Sequence, residues 1–450
     1  MAVTIDHKDG WLFPGAEANE VHEVDVNDIN ALLKMANMDE IWAESVRQQV
    51  RDRLKAQQDG TWRKRPRTDW LIEELQIRNS PGTVIHYPFG IRIISFASKR
   101  HLFRGESRIY PATVPSLNRI VDKIEDLHEK ELYRVIAYMR KWCFADLIWQ
   151  INVVPYWEAK LSDVNFDALA QHYGFQTHLL DLTNDFKTAL FFATTKYDYG
   201  TDSFRPLTEE DINKDEDSKY GYIFHAPDWI VDFFNGGGFS DWSFKHLHNG
   251  DFNVIQDTNK RFYLQSGDMD GVALQIGFQP LHRCHNQSGY IYPMRNEVSL
   301  QENRRFEKLR FEQSPEFSKQ VFDMMDGGKK VFPNEGISEI RHLVEELKHT
   351  VIFSQAHLEA AYNVDGVDKN LFPTLDDLKK SINGFTTKDG IVEIQSGEVG
   401  EPIPQELLDK VNSHYDNKDL GEMIGGMFHQ KQNDKEYRKQ RCIEIYGELI

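Results

Sequence analysis

Cysteine is scarce in this 450-residue chain. Cys143, Cys284 and Cys442 are scattered and odd in number, which excludes a disulfide framework and a paired CxxC metal or redox site. Long apolar runs are missing too. No uninterrupted stretch approaches the roughly 20 residues that span a bilayer, and the N-terminal MAVTIDHKDGWLFPG has no positively charged region followed by an apolar one. A cytoplasmic protein without a membrane segment is the expectation. Positive charge is in deficit, with 53 Lys and Arg against 71 Asp and Glu and a net charge of −18. Such a surface repels phosphate backbones at long range and argues against sequence-independent nucleic-acid binding by the whole molecule. GxxxxGK[ST], GxGxxG after a strand, HExxH and GxSxG are all absent, so P-loop, Rossmann, zincin and α/β-hydrolase chemistry each lack their required residues. His246 with His248, and His282 with Cys284 and His285, have no partner set with metal-ligand spacing, so no metal is expected.

What the chain does have is apolar and aromatic material for a core: 40 % hydrophobic residues, with 28 Phe and 17 Tyr, far from the composition of a disordered chain. Residues 1–100 read as a helical region, because Trp42, Val46, Val50 and Leu54 recur at i+4 spacing. Its continuation carries Arg51, Arg53, Lys55, Arg63, Lys64, Arg65 and Arg67, and Pro66 stops the helix. That run is a solvated helix end or a docking place for RNA or an acidic partner. Ile91–Phe96 and His101–Arg104 are short β-type runs, and the stretch from Pro115 to Trp142 turns helical. Thr177–Leu182 reads as a strand feeding the helix NDFKTALFFATTK, capped by Thr183 or Asn184. The acidic stretch Thr201–Lys219 lacks apolar periodicity and reads as an exposed insertion. YGYIFH, VALQIGF and YIYPM read as further strands, with a helix over Ile340–Leu347. The expected fold is α+β, a mixed, mostly antiparallel sheet with flanking helices and helical N- and C-terminal additions. The expected boundaries are a domain over 101–383 and an appendage over 384–450.

Two segments ask for more than packing: LFRGESRIYPATVPSLNR at Leu102–Arg119 and QHYGFQTHLLDLTNDFKTALFFA at Gln171–Ala193. They resemble the two signature motifs of the FRG domain family, the first with its Phe-Arg-Gly triplet followed by Pro115, Ser116 and Arg119. A later element, Arg283, Gln287, Gly289 and Tyr290, and the Leu371–Leu378 segment resemble that family's remaining motifs in the same order. More distantly, Arg104–Gly105 and the Asp181–Thr183 turn, with Ala189 and Phe192–Ala193 in step, resemble ADP-ribosyltransferases of the Arg-Ser-Glu type. An ADP-ribosyltransferase-like sheet is the fold this second resemblance implies.

The same resemblance implies NAD as substrate, a protein or nucleic-acid acceptor, and a toxin or phage-defence effector controlled by an antitoxin-type protein. In that assignment Arg104 grips the pyrophosphate, Gly105 lets backbone approach the ligand, and Thr183 with nearby amides holds the nicotinamide side. His172 and Tyr173 offer a ring for stacking. Gln287 occupies the place of the transferase glutamate and meets the ribose without a charge, so Asp181 or Glu297 would supply the electrostatic role. Two other readings stand beside it. Arg104 and Asp181 are an internal ion pair in one, and the protein is a non-catalytic nucleotide-sensing module or a nucleic-acid- or protein-binding one in the other.

Overall fold

The computed structural model describes residues 10–16, 20–37, 101–155, 164–198, 200–201, 203–227, 271, 273–276, 279–281, 283–295 and 298–415. It also gives the backbone of four short strands, Gly82–Tyr87, Gly90–Ser95, Val254–Gln256 and Phe262–Leu264. The Trp42–Leu54 stripe, the basic run Arg51–Arg67, Glu297 and the C-terminal end beyond 415 lie outside the described residues.

Seven strands form the central sheet: β1 (Val21–Glu23), β2 (His101–Glu106), β3 (Leu179–Thr183), β4 (Tyr220–Pro227), β5 (Leu274–Gln275), β6 (Gly289–Pro293) and β7 (Glu307–Glu312). Their order is β1-β7-β4-β2-β3-β6-β5. Every neighbouring pair is antiparallel except β1 with β7. The fold is therefore α+β with a mixed, mostly antiparallel sheet. β2 meets β4 over six residue pairs and β3 meets β6 over five. β2 and β3 share a single pair, Phe103↔Thr183. Beyond that pair the two strands splay, and the sheet is split down its middle.

Strand alternation assigns the two faces. Leu102, Leu180, Leu182, Tyr222, Phe224, Tyr290 and Tyr292 turn to one face, where Leu300 and Phe306 cover them. Phe103, Ile223, Leu309 and Phe311 turn to the other, under a helix over 26–37 (α1) and the helix Phe186–Thr194 (α2). The N-cap of α2 is Asp185, whose carboxylate accepts from Lys187 and Thr188 amides. Thr183 and Asn184, expected as caps, lie two residues and one residue too early. Asp is the better cap here because its two oxygens serve two of the orphan amides of the first turn.

A third core surrounds the 23-residue helix Leu127–Trp149. It buries Glu131, Arg140 and Lys141 as well as its apolar side chains, and each charge is paired: Glu131 with Arg134 and Arg295, Arg140 with Asp389, and Lys141 with Asp167 and Asp365. Unpaired, those charges would be prohibitive to bury.

Three boundaries differ from the sequence reading. The N-terminal region is not only helical, since β1 extends the sheet and Leu12 and Phe13 amides donate to the Glu307 carboxylate at 2.9 and 2.8 Å. The stretch from 384 is no appendage as far as 415. Glu393–Gln395 pairs in parallel with Ile352–Ser354, and Val392, Ile403, Val411 and Tyr415 are buried in the third core. The acidic segment is a built element rather than a bare insertion. Ser203–Pro206 pairs with Thr195–Asp198, Thr208 caps a short helix, and Leu207, Ile212 and Ser218 are buried while most carboxylates stay outside. Asp211 takes both Lys196 and Arg205, at 2.6 Å each, which is how the clustered acids are tolerated. Among the described residues no helix is long and apolar enough to cross a membrane.

Candidate functional site

The split between β2 and β3 opens a cleft of about 870 Å3. Arg104, Gly105, Asp181, Thr183 and Gln287 all line it. These five come from two strands and the approach to a third, and the splay is what lets side chains from opposite faces of the sheet meet at one opening.

Arg104 stands at the centre. Its Nε donates to Glu106 Oε1 at 2.9 Å and its Nη1 to the main-chain carbonyl of Asp181 at 2.9 Å. That carbonyl is one of the groups the splay leaves without a partner strand, so the guanidinium fills the gap in the ladder. The side chain is 18 % exposed. Nη2 has no partner among the described residues, which leaves one edge of a fixed cation for the cleft. The internal Arg104–Asp181 ion pair is thereby excluded: the acid that neutralises Arg104 is Glu106.

Asp181 is 36 % exposed at its side chain. Gln171 Nε2 donates to its Oδ2 at 3.2 Å, and Gln171 Oε1 accepts from the Thr177 hydroxyl. The polar residues of the second motif thus hold one another at the edge of the cleft, with Asp181 Oδ1 buried 3.7 Å from His172 Nε2. Thr183 is committed to structure. Its hydroxyl donates to the Gln287 carbonyl at 2.6 Å and accepts from the Asp185 amide at 3.0 Å, stapling the end of β3 to the approach to β6 and to the start of α2. The Gln287 carboxamide is buried and donates to the Val331 carbonyl at 3.0 Å.

His172 and Tyr173 do not line the cleft, which corrects their assignment as stacking rings. The His172 side chain is buried, and burial lowers its pKa against the raising effect of Asp181. Tyr173 donates to Glu335, and burial pushes its hydroxyl well above the usual range. The Arg283 guanidinium sits between the Tyr173 and Phe332 rings, 4.4 and 3.6 Å from their centroids. These side chains form a packed layer behind the cleft. Gly174, at φ +83°, ends the helix Phe166–His172 in the left-handed conformation that favours glycine. Gly105 is small for a different reason from the one expected. A Cβ there would overlap the Ala189 carbonyl oxygen, so the requirement comes from the close approach of α2 and not from a ligand.

Sequence reasoning missed several cleft residues. Glu106 was within reach, because a residue two positions along a strand shares the face of Arg104. Thr113 was not, since its place depends on the fold of the loop after β2. Tyr197 and Phe204, facing each other across the hairpin with ring centroids 5.2 Å apart, and Phe192 supply an aromatic wall. Arg119 and Lys123 add exposed cations to the lining.

Neither a curated protein nor a solved structure matches the chain. One family model does, over residues 99–201, a segment that begins just before β2 and contains Arg104, Asp181, Thr183 and all of α2. The cleft at the split of the sheet is built largely from that segment, and the segment is an FRG domain.

Proposed function

We propose that the cleft binds a nicotinamide dinucleotide and that the protein consumes NAD, passing its ADP-ribose to a macromolecular acceptor or to water. The observation that carries this reading is the Arg104 guanidinium, immobilised through Nε and Nη1 with one edge free inside a concave site. A positioned guanidinium is suited to phosphate oxygens, and it loses little freedom when it engages them. The aromatic wall of Phe192, Tyr197 and Phe204 offers apolar surface for a flat base. When nicotinamide leaves, positive charge develops at the anomeric carbon and a nearby carboxylate stabilises it. Asp181 is the acid that supports this role, because Gln287 is uncharged and its amide is already bonded to Val331. The toxin or defence role implied by resemblance to transferases rests on that chemistry.

The commitment of Gln287 and Thr183 to main-chain partners favours one other reading, a site that holds the nucleotide without turning it over. One experiment separates them. Purified protein with radiolabelled NAD should release nicotinamide or label an acceptor. Arg104→Ala should weaken NAD binding by roughly tenfold to a hundredfold, the worth of a charge-assisted contact. Binding without nicotinamide release selects the sensing module. Absence of binding sinks both.

A further inference from the structure

Arg104 is not held by its own strand alone. Glu106, which accepts from Arg104 Nε through one oxygen, accepts the Thr113 hydroxyl through the other at 2.8 Å. The Thr113 hydroxyl in turn accepts from Gln301 Nε2 at 2.8 Å, while the Thr113 amide donates to Gln301 Oε1 at 2.6 Å. Gln301 Nε2 also donates to the Tyr110 carbonyl at 2.9 Å, and the Leu300 amide donates to the Thr113 carbonyl at 3.1 Å. The result is a continuous hydrogen-bonded chain that runs from the cleft through a buried carboxylate to the loop between β6 and β7, nearly two hundred residues away in sequence. Glu106 and Thr113 are buried and line the cleft, whereas Gln301 does not line it.

The polarity of the chain is consistent along its length. A carboxylate with two oxygens, each taken by a donor from a different element, has a single orientation open to it. Losing either donor leaves a buried charged oxygen without a partner, which is costly enough to turn the carboxylate toward another group. Turning Glu106 releases Arg104 Nε. Only the Asp181 carbonyl then holds the guanidinium, and one hydrogen bond permits rotation about its axis where two do not.

We infer that Glu106, Thr113 and Gln301 are a positioning chain for Arg104, so that Gln301 sets the affinity of the cleft for a phosphate-bearing ligand that it never touches. This rests on the reading of the cleft as a dinucleotide site. It adds a claim that the reading does not need: a residue on the opposite side of the β2 loop is required for anion binding.

The test is a double-mutant cycle on the full chain, with NAD and ADP-ribose as probes and calorimetric affinity as the readout. Gln301→Leu and Thr113→Val should each weaken binding about tenfold or more, and Thr113→Ser, which keeps the hydroxyl, should restore wild-type affinity. In an Arg104→Ala background Gln301→Leu should have no further effect, because a residue that acts only through Arg104 has nothing left to act on. Thermal melts of every variant show whether the fold is kept. Additive losses in the double variant, or Thr113→Val binding as tightly as wild type, overturn the chain. If Gln301→Leu and Thr113→Val are too unstable to measure, Thr113→Ser and Gln301→Glu, which replaces the donor to the Thr113 hydroxyl by a carboxylate oxygen, carry the same comparison: Thr113→Ser should bind as wild type does and Gln301→Glu more weakly, and Gln301→Glu binding as tightly as Thr113→Ser again overturns the chain. Wild-type protein that binds neither probe defeats the dinucleotide reading instead, an outcome distinct from equal binding by wild type and variants.

Discussion

At the scale of single residues, the signature triplet Phe103–Arg104–Gly105 divides its labour between two faces of one strand. Phe103 packs edge-on against Phe186 at 5.3 Å between centroids, Arg104 turns to the opposite face, and Gly105 receives the backbone of α2. The glycine therefore tests packing and the arginine tests binding. Gly105→Ala should lower stability by about 3 kcal/mol or leave the protein unfolded, because the conflicting atom is a helix carbonyl that cannot swing aside. Thermal unfolding would read it, and a variant with wild-type stability but poor ligand binding would return Gly105 to the ligand. The importance of Arg104 was legible through the Phe-Arg-Gly triplet that it belongs to. Its partner was not legible: an ion pair with Asp181 stood only as an alternative reading, yet the shortest route for the guanidinium is along its own strand to Glu106, and the splay of β2 from β3 makes the Asp181 carbonyl available instead of its carboxylate.

At the scale of elements, periodicity carried the strand–turn–helix unit at the centre of the site and left gaps elsewhere. The run 179–194 was readable because apolar alternation gives way to i, i+3, i+4 spacing within a few residues. β7 was overlooked although Leu309 and Phe311 alternate with Lys308, Arg310 and Glu312, since its charged residues mask a half-buried strand. The acidic segment, read as an exposed insertion, is more firmly anchored than that for a related reason. Its few apolar residues, Leu207 and Ile212, are enough to anchor it when Ser318 accepts the chain by a side-chain bond to the Leu207 amide at 2.8 Å. Helix α2 depends on Asp185 at its start, which also accepts the Thr188 hydroxyl at 2.8 Å. Asp185→Ala should cost about 1 kcal/mol or somewhat more, the usual loss for a cap, read as a shift of the denaturant midpoint. Because α2 backs both Phe103 and Gly105, the same variant should weaken ligand binding by only a small factor. A large loss of binding with no loss of stability would mean that Asp185 touches the ligand.

At the scale of the whole molecule, a buried line of polar groups joins the middle of the sheet to the N-terminal segment. His101 Nδ1 and His225 Nε2 are 2.9 Å apart, and His225 Nδ1 lies 2.6 Å from Glu307, whose oxygens also take the Leu12 and Phe13 amides. Burial pushes the Glu307 carboxyl up, but His225 and the two amides outweigh it and hold it below the ordinary value. A carboxyl held low in the folded state contributes stability above its unfolded value, about 4.3, and loses it as pH falls through the lower folded value. Wild type should therefore lose stability on acidification through and below that range. Glu307→Gln should flatten that portion of the pH dependence of the urea midpoint while lowering stability at neutral pH. An unchanged acid limb in the variant would show that other carboxyls carry it.

The parallel pairing of β1 with β7 has a temporal side. Glu23 and Arg310, which bond across this pair, are 287 residues apart. On a ribosome that adds roughly 5–20 residues per second, β1 waits on the order of 15–60 s before its partner strand has been made. The strands between can assemble in the interval, but the outer side of β7 is closed only when β1, made long before it, returns to it. A strand made 287 residues before its partner thus closes the native sheet. Until it does, nascent protein carries an open strand edge of the kind that recruits chaperones or other chains. Pulse-labelled chains cut by protease at intervals should lose sensitivity near residues 10–37 later than near β2, and simultaneous protection would show that the edge is never exposed.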